Sequence, residues 1–308
     1  MRNHFTAIVF LLATPVGVAS AQTPFDPHVK FVKGETQHIS MALGQTIDQT
    51  VNDSKRHTVQ TVNLELTLAV IDVDSEGTAK IEVRFESVAL HAETPDGPAD
   101  YVSTDPPGQV PVSARGLAAV VGQSYGAFID SHGAIKQVTG LASLLDTVMS
   151  KFNIPEGVGR MAIEKTLRQE FDEKNLVQYL QNLFAPLPDR PVSIGDNWVR
   201  MAQVNLGVPL KVQSTYTLLS QTANTASIEV TGRSATAKDA TLEVGAFKLN
   251  YDLQGDQNGT LQISQSTGQT QSSEISQHLS GSVTLRGLNS DPQTSSVTVE
   301  STIKMERK

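Results

Sequence analysis

Asp72 and Asp74 stand two residues apart ahead of Gly77. The run Asp72-Val73-Asp74-Ser75-Glu76-Gly77 resembles the opening of a calcium-binding loop, which ends with a bidentate Glu at its twelfth position. That position is Val83 here, so the run reads as a hairpin turn, where Asp, Ser and Gly are favoured for local reasons. Asp130-Ser131-His132-Gly133 holds an acid, a hydroxyl and an imidazole. A catalytic triad needs three side chains converging from separate places, which neighbours on one turn do not do. No G-x-S-x-G elbow occurs, and this run also reads as a turn. Glu82 and Glu229 occupy matching positions in two similar segments, and paired carboxylates are acid/base machinery. They alternate with Ile81, Val83, Ile228 and Val230, so they are expected to point away from a core. The histidines are dispersed and no H-E-x-x-H is present. His38 and His57 are the pair a hairpin could join, and two ligands do not make a zinc site.

With no cysteine in the chain, thiolate metal sites, disulfides and a cysteine nucleophile are excluded. The residues thus assign no catalytic group, no metal and no cofactor. What remains is apolar binding. Leu141, Leu144, Leu145, Val148, Met149 and Phe152 form one stripe at helical spacing, the best place for a ligand wall. Leu144, Val148 and Phe152, with the single tryptophan Trp198, are the candidate cavity residues. Packed core is the plainer reading of each.

The 308-residue chain has a net charge of −8 at pH 7, which argues against nucleic acid and anionic membranes as partners. Residues 1–21 read as a secretory signal: Arg2 in a basic start, an apolar run from Phe5 to Val18, and Ala19-Ser20-Ala21 before the cleavage point. No later apolar stretch reaches spanning length, so a periplasmic or secreted chain without a transmembrane segment is expected.

The elements that must position these residues are mostly strands. Leu64, Leu66, Leu68 and Val70 alternate with polar or small residues, as do Phe247, Leu249, Tyr251 and Leu253, and Val297 to Met305. Ala79-Lys80-Ile81-Glu82-Val83 and Ala226-Ser227-Ile228-Glu229-Val230 share the pattern A-x-I-E-V with a serine four residues on. Lys33-Gly34-Glu35 and Ile194-Gly195-Asp196 precede them in the same order. This ordered match points to a diverged duplication. Between the halves the apolar period becomes helical, with further helices expected around Ile163, Leu167 and Phe171 and from Leu176 to Phe184. Glu93 to Pro111, with five prolines, reads as an exposed loop.

Lys33-Gly34-Glu35, the hairpins Val70–Val83 and Phe128–Gly133, the helical middle, and Pro188 through Gly195-Asp196-Asn197-Trp198 together resemble an exported bacterial family of unknown function. That resemblance implies an envelope setting and no particular activity. A looser, architectural likeness is to periplasmic lipoprotein carriers, whose half-barrel is plugged by helices.

The expectation is a mainly β (α+β) chain. Residues 22–139 form a first antiparallel unit, 140–188 a helical insert packed on the sheet, and 189–308 a second unit, the two units forming either one domain or two. The expected role is non-catalytic, binding a lipid or other apolar ligand, or an envelope protein. Two alternatives stand: an envelope hydrolase using Glu82 and Glu229, and a structural module assembling through sheet edges, with Val297–Met305 as the edge to inspect.

Overall fold

The computed structural model describes residues 24–26, 28–51, 53–106, 110–151, 164, 177, 180, 183–184, 187–205, 209–237, 240–244, 247–287 and 291–308. Thirteen strands form one antiparallel sheet. The first six are β1 (Thr36–Val51), β2 (Ser54–Val73), β3 (Ala79–Thr94), β4 (Gly97–Val102), β5 (Ser124–Ile129) and β6 (Ile135–Thr139). The others are β7 (Asn197–Asn205), β8 (Pro209–Gln221), β9 (Thr225–Thr236), β10 (Thr241–Val244), β11 (Phe247–Ser264), β12 (Thr270–Arg286) and β13 (Gln293–Arg307). The α-helices with described bounds are α1 (Arg115–Val120) and α2 (Leu141–Lys151). The strand order is β6-β5-β3-β2-β1-β13-β12-β11-β9-β8-β7, with β4 beside β3 and β10 beside β11.

Alternation sorts the strands into two unlike faces. On the outer face, β12 shows Glu274, Ser276, His278 and Ser280, paired with Lys304, Thr302, Glu300 and Thr298 of β13. The inner face carries the apolar residues. One cluster joins Leu66, Leu68, Ile81 and Val83 to Leu144 and Val148 of α2, and to Leu180 and Phe184. A second joins Trp198, Tyr216, Leu218, Ile228 and Ile263 to Phe25, Val29 and Val192. α2 therefore forms for the expected reason: its stripe of Leu144, Leu145, Val148 and Met149 is buried on the sheet. Phe152, Ile163, Leu167, Phe171 and Leu176 lie outside the described residues.

The paired sequence segments occupy corresponding places. Gly34 N–H donates to the Val70 carbonyl at 2.8 Å, and Gly195 N–H donates to the Leu218 carbonyl at 2.8 Å. Both glycines have positive φ, 84° and 90°. Val70 pairs with Ile81, and Leu218 with Ile228. A bulge follows each, pushing Ile71 and Leu219 outward at 46% and 47% exposure. Ala79 then pairs with Ile129, and Ala226 with Ile263.

Two expectations are corrected. The stretch 93–111 is not all loop: β3 runs on to Thr94 and β4 returns along it from Gly97 to Val102. Ala99 and Tyr101 pack against Leu90, Ala92 and Ala114, and Pro98 is tolerated because β4 has a neighbour on one side only. Val297–Met305 is not an edge. It lies in β13, paired to β1 on one side and β12 on the other, at the middle of the sheet.

Candidate ligand-binding site

Asp74 and Asp130 build the same turn. Asp74 Oδ1 accepts from the Glu76 and Thr78 amides at 2.9 and 2.8 Å. Asp130 Oδ1 accepts from those of His132 and Ala134, both at 2.9 Å. Gly77 and Gly133 complete the turns at φ 84° and 78°. Burial raises the Asp130 carboxyl most, but Lys136 at 2.8 Å and the two amides outweigh it and hold the group below its ordinary 3.8. Asp72 is exposed and pairs with Lys33 at 2.9 Å, which lowers its carboxyl.

The other polar candidates do not converge. Glu82 and Glu229 are exposed on the outer face, in β3 and β9, six strand steps of ~4.8 Å apart. His38 lies opposite Thr67 and His57 opposite Asp48, at opposite ends of the β1–β2 pair. The His28 and His132 rings meet edge-on at 5.1 Å, yet no group of three metal-ligating side chains forms among the described residues.

The candidate cavity residues separate. Leu144 and Val148 are packed in the first cluster. Trp198 stacks on Tyr216 in the second, with ring centroids 5.7 Å apart. Phe152 is outside the described residues. An open apolar surface occurs elsewhere on the inner face. A groove of about 360 Å³ runs over β8, β11, β12, β13 and β1. Its wall is built from Leu210, Leu253, Leu279, Val283, Val297 and Val299, with Ile47, Leu249 and Tyr251 beside them. No Asp, Glu, Lys, Arg or His lines it. Burial raises the Tyr251 hydroxyl above its ordinary value.

Glycines make the sheet curl here. A Cβ on Gly255 would overlap the His278 carbonyl, and one on Gly281 the Asp252 carbonyl. Without them the strands bend closely enough that Leu210 and Val212 of β8 meet Leu279 of β12 across two intervening strands. The inner face is therefore concave.

A polar row closes one end of the groove. In direct register across seven strands lie Gln60, Gln45, Ser301, Gln277, Gln257, Gly232 and Ser214. Gln60 donates to Gln45 at 2.8 Å and Gln45 to Ser301 at 3.3 Å. Gln277 reaches past Gly255 to Ser234 at 2.7 Å, and Gln257 past Gly232 to Ser214 at 2.7 Å. A Cβ on Gly232 would press on Gln257 at 3.0 Å, so glycine keeps that path open. On one side of the row the inner face is filled core; on the other it is the groove. Sequence reasoning missed this row, because each glutamine alone reads as an ordinary interruption of a strand.

A second, polar cavity of about 520 Å³ lies at the far end of β1, beside Glu35, Gln37, Gln269 and Arg307. Arg307 donates to the Thr270 carbonyl at 2.8 Å, to the Leu183 carbonyl at 3.3 Å and to Gln37 Oε1, and sits over the Phe184 ring. Burial lowers its guanidinium to about 10, against the opposing field of Glu35. Its donors are committed to protein acceptors, so it fastens β13 to its neighbours.

No curated protein matches the chain. Among solved structures, one titled "Lipid-protein interactions in lipovitellin" is similar with a TM-score of 0.48 and 10% identity, over 91% of this chain and 25% of that one. The chain thus spans a quarter of that protein. Pseudomonas aeruginosa OccK7 (OpdD) gives a TM-score of 0.24 and 8% identity, over 89% of this chain and 99% of that one. A DUF1329 family protein from Desulfovibrio piger gives 0.14 and 8%, over 85% and 83%. A family model, described as a family of unknown function (DUF6263), matches residues 76–270, from the β2–β3 turn to the first residue of β12. With more than half its length matched, the chain belongs to this family of unknown function.

Proposed function

We propose that the protein binds a lipid-sized apolar ligand in the inner-face groove, as an exported, non-catalytic binding protein. The observation that carries this reading is the groove itself: about 360 Å³, concave, without a charged lining residue, and walled mainly by Leu and Val with Ile47 and Tyr251, the neutral polar Gln45, Gln49, Gln277 and Ser301 also lying on it. That volume is within the ~300–1,000 Å³ usual for small-molecule sites. Among the described residues no helix packs on it, whereas α2 covers the first cluster. Export rests on the signal-like residues 1–21, which are outside the described residues. Duplication of the β unit, with residues 140–188 inserted between copies, is part of the same reading. It is supported by the shared glycine contacts, bulges and registers of β1–β2–β3–β5 and β7–β8–β9–β11.

The test is native mass spectrometry of the full-length gene product, purified from cells under mild conditions, followed by organic extraction. A lipid-sized adduct released by solvent is expected, on a chain beginning at Gln22. A clean apo mass overturns the binding reading, and a retained Met1 overturns export.

A further inference from the structure

A break in the apolar pattern at one level of seven strands is costly unless it is used. Each buried amide or hydroxyl that replaces an apolar contact must recover its desolvation through hydrogen bonds. Here the row crosses the inner face where covered core gives way to open groove, and Gln45, Gln277 and Ser301 line that groove. Their bonds leave capacity over. Gln45 and Gln277 each donate one amide N–H, to Ser301 and Ser234, and each amide carries a second. Ser301 accepts from Gln45 and keeps its own O–H to give. All three side chains line the groove, so this spare capacity lies on it.

We infer that the groove orients an amphipathic single-chain lipid whose head group is uncharged and rich in hydroxyl or ester oxygens. The head lies on Gln45, Gln277 and Ser301, and the chain runs along β12 and β13 toward Val283 and Leu249. This rests on the groove being the binding site and adds the ligand's class and direction. From Gln277 to Val283, six residues at ~3.4 Å each give a run of about 20 Å. One leaflet of bilayer hydrocarbon is about 15 Å deep, so a membrane-length acyl chain fits. The head group's neutrality follows from the lining: no cation there offsets a carboxylate or phosphate, and no anion offsets an amine. Neutral amides and a hydroxyl match ester and hydroxyl oxygens instead.

The test uses delipidated full chain and three probes that share a sixteen-carbon chain, monopalmitoylglycerol, palmitate and hexadecane, with occupancy read by native mass spectrometry. Monopalmitoylglycerol should bind about tenfold or more tighter than either of the others, the scale of one or two hydrogen bonds. Gln277→Leu and, separately, Ser301→Ala should remove most of that preference while hexadecane still binds; thermal melts matching the parent show that the variants fold. Palmitate binding as tightly as the glyceride, or a preference that survives both variants, overturns the inference and leaves the groove reading standing. If none of the three probes binds, the groove reading falls and this inference with it.

Discussion

Gly34 and Gly255 are both glycine for different reasons, and substitution separates them. Gly34 sits at φ 84° with open space where a Cβ would be, so the cost of Gly34→Ala is conformational, about 1–2 kcal/mol. At Gly255 the added methyl overlaps the backbone of β12, so Gly255→Ala must move a strand and should cost about 2–3 kcal/mol. Urea denaturation of both variants checks the order. Asp130 makes a prediction in pH. Its folded carboxyl lies below the ordinary 3.8, so its contribution is complete above that value and is lost as pH falls through the lower folded value. Asp130→Asn should therefore lower stability at pH 7, and the difference from the parent should vanish in acid. Thermal melts along a pH series measure it; a difference that grows in acid would sink the assignment.

At the level of elements, the matched hairpins should behave alike. Ile81 and Ile228 are both essentially inaccessible and hold corresponding pairings. Ile81→Ala and Ile228→Ala should each cost about 2–5 kcal/mol, and by similar amounts. Strongly unequal losses, measured by denaturant, would argue against equivalent units. Val148 gives the complementary case. It is fully buried between α2 and the sheet, away from the groove, so Val148→Ala should lower stability by about 2 kcal/mol and leave lipid occupancy unchanged. The edge strand β7 carries Met201 at 68% exposure on its outer side, and Met201→Lys should change stability by less than about 0.5 kcal/mol.

For the molecule as a whole, curl and register decide where a ligand can go. Val299 lies in the central strand, far in sequence from Leu210 and Leu253, yet all three face one groove. Val299→Arg should abolish the adduct expected in native mass spectrometry, because an unpaired guanidinium cannot be desolvated against a hydrocarbon chain. An unchanged adduct would move the site elsewhere. The paired-carboxylate alternative loses its geometric support at this scale, since Glu82 and Glu229 stand on the outer face of distant strands.

Local patterns were legible without a structure. The alternation of Leu64 to Val70 and of Phe247 to Leu253, the stripe of α2 and the turns at Asp74 and Asp130 all rest on contacts within a few residues, so spacing reveals them. The ordered match of Gly34 to Gly195 and of Ile81 to Ile228 was readable too. Pairing partners were not. Val297–Met305 alternates in the same way whether it ends a sheet or fills its middle. Only the registers of β13 with β1 and β12 place it at the centre. The same holds for the site. Gln45 and Ser301 are 256 positions apart and meet because two strands align, and the glycines that let Gln257 and Gln277 reach across mean nothing until the neighbouring backbone is in place. By itself the sequence determined the alternating strands, the turns and the buried face, which follow from residue type and period, but not β4 within the proline-rich stretch. The tertiary structure alone decided the strand order, the concavity and the polar row at its end, because these depend on contacts between residues that no spacing connects.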